Sequence, residues 1–392
     1  MKTVKLGDIC NLMTGGTPSK NKKEYFENGT IPWLVSGDIH KGEITACDGR
    51  ITELGLKNSN ARLLPVNSVM IALNGQGKTR ATVALLRIEA TCNQSLVSIY
   101  PKDDSKVLPE YIYWNLKGRY DELRRLTGDD GNDRRGLNMI IIRNIDIPEP
   151  PSTEEQRRVV ERLDAAFEKI DRAIELTEKN IIGLQVLYET YFANLLNNVS
   201  GSTCLLEEVC AINSKLIDPK VSKYQDLLHV GGANIEPLNG NLVRLKSAKQ
   251  ENIISGKFIF DENMILYSKI RPYLKKVARP AFSGLCSADI YPLVPLENIR
   301  KDYLYYLLLS EKFTSYAISG SGRAGMPKVN RPYLFAYKFT LPTLKIQDSI
   351  IGMLDEISMI TSRLKTKYEL KKATLMTLKQ SMLHQAFSDD GV

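Results

Sequence analysis

Residues 69–80, VMIALNGQGKTR, come closest of any segment to a catalytic signature. A phosphate-binding loop needs G-x-x-x-x-G-K-[ST], because its first glycine lets backbone N–H groups wrap the phosphates. Gly77, Lys78 and Thr79 are in place, but Ala72 holds the first position. RATVALL follows and reads as a strand, where the motif demands a helix. Nucleotide binding is therefore not expected. His40, His229 and His384 show no ligand-like spacing, and the cysteines at 10, 47, 92, 204, 210 and 286 form no CxxC pair. Those six read as the reduced thiols of a cytosolic protein.

What the polar residues do offer is contact with a polyanion. The 392 residues carry 53 basic and 45 acidic side chains, a net charge of +8. The excess is uneven: +3 over 1–150 and +7 over 201–342, against −3 over 151–200 and +1 over 343–392. Loops mixing cations, amides and hydroxyls are the stretches expected to meet such a polyanion. In the first half these are Lys20, Lys22 and Lys23, then Asn74, Gln76, Lys78 and Arg80, then Arg134, Arg135 and Asn138. In the second half they are Lys269, Arg271, Tyr273, Lys275 and Lys276, then Arg323 and Lys328. A solvated surface is the competing reading for each. Most would hold phosphates rather than read bases.

The elements that must position these loops are written twice. IPEPPSTEEQRRVVERLDAAF (147–167) is echoed by LPTLKIQDSIIGMLDEIS (341–358), with Gln156 on Gln347, Leu163 on Leu354 and Asp164 on Asp355. Upstream, 126–148 resembles 318–342: glycines and an arginine, then an apolar strand into Ile-Pro or Leu-Pro. PEYIYWNLKGRYDELRRLTG matches RKDYLYYLLLSEKFTSYAISG, each read as one helical stretch, and the 67–86 loop region matches 262–280. A collinear period near 190 residues is too long for a solenoid unit and describes a duplicated domain plus helix. Short apolar runs such as SVMIAL, LVSIY, MILYS and YPLVP mark strands, so each globular portion is α+β.

Each half ends in a long helical pattern. Ser152 and Glu155 form a capping-box signature after Pro150 and Pro151. Apolar residues then recur at Val160, Leu163, Phe167, Ile170, Ile174, Ile181, Leu184, Tyr188, Tyr191 and Leu195, broken only by Thr177. The second seam runs through Ile350, Leu354, Ile357, Leu364, Leu375 and Leu378. Heptad spacing over this length favours a mutual antiparallel coiled coil over two helices in separate cores.

The opening VKLGDICNLMTGGTPSK…IPWLVSGDI, the segment TGDDGNDRRGLNMIIIRNIDIPEPPSTEEQRRVVERLDAAF and its echo resemble the DNA-specificity subunit of type I restriction–modification systems. The resemblance covers essentially the whole chain. It departs at PTLKIQ (342–347), which lacks the second proline and the glutamate of PEPPSTEEQ (148–156). It implies two similar target-recognition domains, 1–150 and 199–343, separated by spacer helices at 151–198 and 344–388 in a pseudo-twofold arrangement. It also implies a non-catalytic DNA-binding subunit that reads a bipartite target in double-stranded DNA. Two methyltransferase subunits and the restriction subunits would then supply the chemistry, with S-adenosylmethionine, ATP and Mg on those partners. An adenine methyltransferase would carry Asn-Pro-Pro-aromatic; here the only Pro-Pro follows Glu149. That omission argues against a single-chain methyltransferase or nucleotide hydrolase. Neither a signal peptide nor a run of about 18 apolar residues is present, so a cytoplasmic protein is expected.

Overall fold

The structure, a computed structural model, describes residues 2–75, 77–127, 136–212, 215–322 and 327–387. The chain divides into two units, Met1–Glu178 with Glu369–Val392, and Lys179–Tyr368. Both divisions fall inside long helices, so each unit holds one module and part of each helix.

Unit 1 opens with β1 (Thr3–Lys5), α1 (Leu6–Ile9) and β2 (Cys10–Thr14). Next come β3 (Ile31–Leu34), β4 (Glu43–Ile44), β5 (Arg50–Ile51) and α2 (Glu53–Lys57). β6 (Val69–Ala72), β7 (Val83–Leu86), β8 (Thr91–Cys92) and β9 (Leu96–Pro101) complete two sheets, ordered β2-β9-β6-β7-β4 and β5-β3-β8. Helices α3 (Pro109–Gly118), α4 (Tyr120–Arg125) and α5 (Met139–Arg143) lead to β10 (Asp146–Pro148), which pairs antiparallel with β1, and then to α6 (Thr153–Asn197).

Every residue of β6 and β7 is buried. The twofold period of a strand sends alternate side chains to opposite faces. Val69, Ile71, Val83 and Leu85 join the core under α3, while Met70, Ala72, Ala84 and Leu86 join a second core beneath the smaller sheet. Continuous apolar runs are the expected composition for strands covered on both faces.

Unit 2 repeats the plan. β11 (Ser202–Leu205), β12 (Cys210–Ala211), β13 (Leu216–Ile217), α7 (Ser222–Gln225), β14 (Leu228–Val230), β15 (Lys246–Ser247) and β16 (Lys257–Phe260) come first. They are followed by β17 (Ile265–Ser268), β18 (Val277–Ala278), β19 (Gly284–Ser287) and β20 (Ile290–Pro295). Then come α8 (Lys301–Leu309), α9 (Glu311–Ser319), α10 (Arg331–Phe335), β21 (Lys338–Leu341) and α11 (Leu344–Ala386). The order β12-β20-β17-β18 reproduces β2-β9-β6-β7, and β14 runs parallel to β19 as β3 does to β8.

Three expectations need correction. Each helical stretch after the sheets is two helices, broken at Arg119 and at Ser310. Ser310 has extended backbone, and its hydroxyl caps α9 by accepting from Phe313 N at 3.2 Å. The apolar run before Ile-Pro or Leu-Pro starts as a helix, because Asn138 and Asn330 each cap one, accepting at 2.9 Å from Ile141 N and Tyr333 N. The third concerns the helix seam.

In unit 1 the first half of α6 packs on the last turns of α11, with Leu163, Phe167 and Leu383 in one core. Ion pairs Asp171–Lys379 (2.6 Å) and Glu178–Lys372 rise along one helix as they fall along the other, so the pairing is antiparallel. In unit 2 the last turns of α6 meet the first turns of α11 around Phe192, Ile350 and Leu354. Ile170 is buried too, while Ile174, Ile181, Leu184, Ile357, Leu364 and Leu375 are half-buried. Leu378 is 45% exposed, and the stripe passes instead through Lys379, whose ammonium lies 4.6 Å from the Phe167 ring centroid. Lysine covers apolar surface with its stem, which a hydrophobic seam count overlooks. Phe192 likewise replaces the more exposed Tyr191. Thr177 is 1% exposed and satisfies its hydroxyl on Ala173 O at 2.7 Å. All six cysteines are free and buried.

Candidate nucleic-acid interface

In unit 1 the β6–β7 connection, residues 73–82, turns through Gly77 at φ +74°, a left-handed conformation that favours glycine. β7, a strand, follows it, as the phosphate-loop comparison anticipated. Four anchors hold the turn. Leu137 N donates to Leu73 O (2.9 Å), Tyr120 Oη to Lys78 O (3.1 Å) and Arg124 Nη1 to Gly77 O (2.6 Å), while His40 Nε2 and Thr79 Oγ1 lie 3.0 Å apart. Gly136 is needed for the approach, since a Cβ there would sit 1.8 Å from Asn74 Oδ1. The stretch 74–80 thus meets 136–138. Asn74 and Lys78 are exposed.

Two of the expected contacts are engaged within the module. Arg80 is 8% exposed and buried in the module. The Asn138 side chain is committed to the cap of α5. Lys20, Lys22 and Lys23 are exposed, and Lys22 Nζ reaches Tyr25 Oη at 3.0 Å beside α2. Gln76, Arg134, Arg135 and Arg323 lie outside the described residues.

Unit 2 brings its counterpart loops together in the same way. Arg271 N donates to Pro327 O and Val329 N to Lys269 O, both at 2.9 Å, so 269–276 meets 327–329. The cations differ sharply in freedom. Lys269 is 9% exposed and reaches Ala288 O, with Asp289 at 3.4 Å; burial first, then repulsion from Lys328, pulls its pKa down. Lys328 pairs with the same Asp289 at 3.2 Å. The Lys275 side chain is 14% exposed and paired with Glu311, and Lys276 Nζ donates to Gly232 O at 2.5 Å. Arg271, at φ +52°, and the 52%-exposed Tyr273 stand at the tip. Lys269 and Lys275 therefore brace the loop.

A third loop, missed in the sequence, completes each cluster. It leaves a parallel-paired strand in each unit: Val35–Lys41 after β3, which pairs with β8, and the turn from Gly231 after β14, which pairs with β19. Val35 N donates to Asp38 Oδ2 (3.0 Å) and Gly231 N to Asn234 Oδ1 (2.8 Å), while Ile39 and Ile235 are both fully buried. His40 and Gly232 link these turns to the 73–82 and 269–276 loops. A Cβ on Gly37 or Gly232 would meet nothing within 4 Å, leaving the backbone open to close approach. The signal was present as LVSGDI (34–39) against VGGANI (230–235).

Two modules thus present three convergent loops each. Comparison with known families decides what such a chain is: the Type I restriction modification DNA specificity domain matches residues 1–185 and again 204–372. The chain belongs to the type I restriction–modification DNA specificity family. It is a specificity subunit with two recognition domains and not itself an enzyme. The Type I restriction enzyme EcoDI specificity subunit of Escherichia coli is 24% identical, covering 98% of this chain and 87% of that one. The EcoR124I/EcoR124II specificity subunit of the same organism is 32% identical over 44% of each chain. Among solved structures, a chain from work on complex assembly and conformational transition of the type I R-M system has a TM-score of 0.77 at 18% identity, covering 99% and 98%. The HsdS subunit from Thermoanaerobacter tengcongensis has 0.64 at 19%, covering 99% and 97%. At these identities the likeness shows the fold.

The long helices of this specificity subunit leave large apolar side chains uncovered. In unit 1 they include Leu176 (53% exposed), Leu370 (67%) and Met376 (55%). In unit 2 they include Ile182 (65%), Val186 (56%) and Met359 (67%). No helix among the described residues is long and apolar enough to cross a membrane.

Proposed function

We propose that each module reads one half of a bipartite double-stranded DNA target, and that the long helices hold methyltransferase subunits against it. The observation that carries this reading is the threefold loop cluster, built twice on equivalent strands. Asn74, Lys78, Arg271, Tyr273 and Lys276 face DNA in this proposal, with the open backbone at Gly37 and Gly232 admitting close contact. Arg271 is the side chain best placed to read a base: arginine pairs bidentately with guanine in the major groove, and the neighbouring lysines brace its loop. The uncovered apolar residues on the helices fit a protein partner, because patches of this kind mark interaction sites. Methyl transfer from S-adenosylmethionine, and any ATP- and Mg-dependent cleavage by restriction subunits, belong to those partners in the cytoplasm.

Co-expression with the neighbouring methyltransferase, followed by sequencing of methylated adenines, tests the reading. Two short, different half-sites at a fixed gap are expected. DNA affinity that ignores salt would overturn it in favour of a coiled-coil scaffold without a nucleic-acid role. Methyl transfer by the purified chain alone would overturn the division of labour.

A further inference from the structure

Each module is tied to its long helix by the same two polar contacts. Gln156, in the first turn of α6, is 1% exposed. Its Oε1 accepts from Leu108 N at 2.8 Å, and its Nε2 donates to Lys106 O (3.2 Å) and Pro151 O (2.8 Å). Gln347, in the first turn of α11, is fully buried. Its Oε1 accepts from Arg300 N (2.7 Å), and its Nε2 donates to Asn298 O (3.0 Å) and Pro342 O (2.9 Å). Eight residues further along each helix, Asp164 accepts from Trp114 Nε1 at 2.9 Å and Asp355 accepts from Tyr306 Oη.

An apolar side chain would fill the glutamine site with less desolvation, so the buried amide adds direction rather than burial. Its acceptor takes the backbone N–H that immediately precedes α3 in one unit and α8 in the other. α3 packs on β6 and β7, and α8 packs on β17 and β18. Those strands carry the 73–82 and 269–276 loops. A rotation of the module on its helix must therefore break the glutamine and aspartate contacts together.

We infer that Gln156, Gln347, Asp164 and Asp355 are positioning residues that fix the orientation of each module on its long helix, and through it the gap the DNA half-sites must span. The inference rests on the bipartite reading above and goes beyond it. The donors differ between the repeats, indole in one and phenol in the other, while the acceptor carboxylate is kept. The tie is retained where the packing around it has changed.

The test uses the full chain with its methyltransferase subunit on a DNA library varying the gap. Gln156→Met, Gln347→Met and Tyr306→Phe should methylate the same half-site sequences with a gap preference broadened or shifted by at least one base pair. Asp355→Asn, which keeps an acceptor for the Tyr306 hydroxyl, should retain the wild-type gap. Tyr306→Phe removes a single oxygen, so it remains informative where a glutamine variant fails to fold. A folded Tyr306→Phe complex with lowered Tm but an unchanged, sharp gap profile would reduce the tie to a stabilising contact and overturn the inference. A wild-type complex with no bipartite preference would remove the functional reading, and this inference with it; wild type alone distinguishes the two failures.

Discussion

Replacing Lys117 by methionine should stabilise unit 1 near neutral pH and lose that advantage as the pH rises. Lys117 sits on α3 with its ammonium 4.5 Å from the Trp114 ring centroid, 5.5 Å from that of Phe167 and 2.6 Å from Tyr113 Oη. Burial, aided by repulsion from Lys379 and opposed by Asp171 and Asp164, lowers its pKa from 10.5 to about 8. At about 1.4 kcal/mol per unit, a fall of this size costs the charged form about 3 kcal/mol relative to the unfolded chain. Cation–π attraction returns about 1 kcal/mol, leaving a net penalty of about 2 kcal/mol at pH 7. The folded pKa lies below the unfolded one, so between about pH 8 and 10.5 the unfolded chain binds more protons and the lysine's contribution to stability rises with pH. Methionine has a comparable unbranched stem and no charge to bury. Urea unfolding followed by tryptophan fluorescence reports this unit, because Trp33 and Trp114, the two tryptophans, both belong to it. The expected difference between Lys117→Met and wild type is about 2 kcal/mol at pH 7, about 4–8 °C in Tm, shrinking toward zero by pH 10. A difference that stays constant from pH 7 to 10, or a variant less stable at pH 7, would refute the reasoning.

Arg271→Ala should relax discrimination at one half-site by roughly tenfold to a hundredfold at a single position and leave the other half-site untouched, which methylation mapping reads directly. Lys78→Ala should reduce the slope of log affinity against log salt by about one, while Lys275→Ala, whose ammonium is already paired with Glu311, should change it less; equal slopes would count against the assignment of the two lysines. Asn138→Ala and Asn330→Ala should each cost about 1 kcal/mol in denaturant unfolding through loss of a helix cap, with the methylated sequence unchanged. Removing one heptad from α6 and one from α11 removes about 10 Å of helix from each and should shorten the preferred gap by about three base pairs; a constant gap in a folded variant would show that the helices do not set it.

The duplication was the most legible feature of the chain. Aligning Gln156 with Gln347 and Asp164 with Asp355 anticipated equivalent positions whose side chains make equivalent bonds. That the 74–80 loop meets 136–138 was not legible, because the repeat aligns each loop with its counterpart in the other half and does not say which loops of one module touch. Free cations were not legible. Lys275 and Lys269 have the composition of a DNA-binding loop, but their partners Glu311 and Asp289 lie 36 and 20 residues away in sequence, and folding alone brings them close. The turns after β3 and β14 were overlooked for the opposite reason. Their contribution is bare backbone beside Gly37 and Gly232, and a search for charged side chains passes over glycine. Leu378 was misplaced because a strict alternation of three and four assigned the seam to the leucine rather than to the aliphatic stem of Lys379 next to it.

The division of the chain inside its long helices has a consequence for synthesis. Unit 2 is one continuous segment, Lys179–Tyr368, and every strand and helix it needs emerges in a single run. Unit 1 is assembled from both ends: Leu163 and Tyr111 share a core with Leu383 and Ala386. While the ribosome works through roughly 200 intervening residues, that apolar surface waits without its cover, an interval of about 10–40 s at ordinary elongation rates. A module begun first is finished last, and chains stalled before α11 is complete should show protease-sensitive residues 1–178 beside a protected unit 2. For as long as translation lasts, chaperone demand would then track the first module rather than the second.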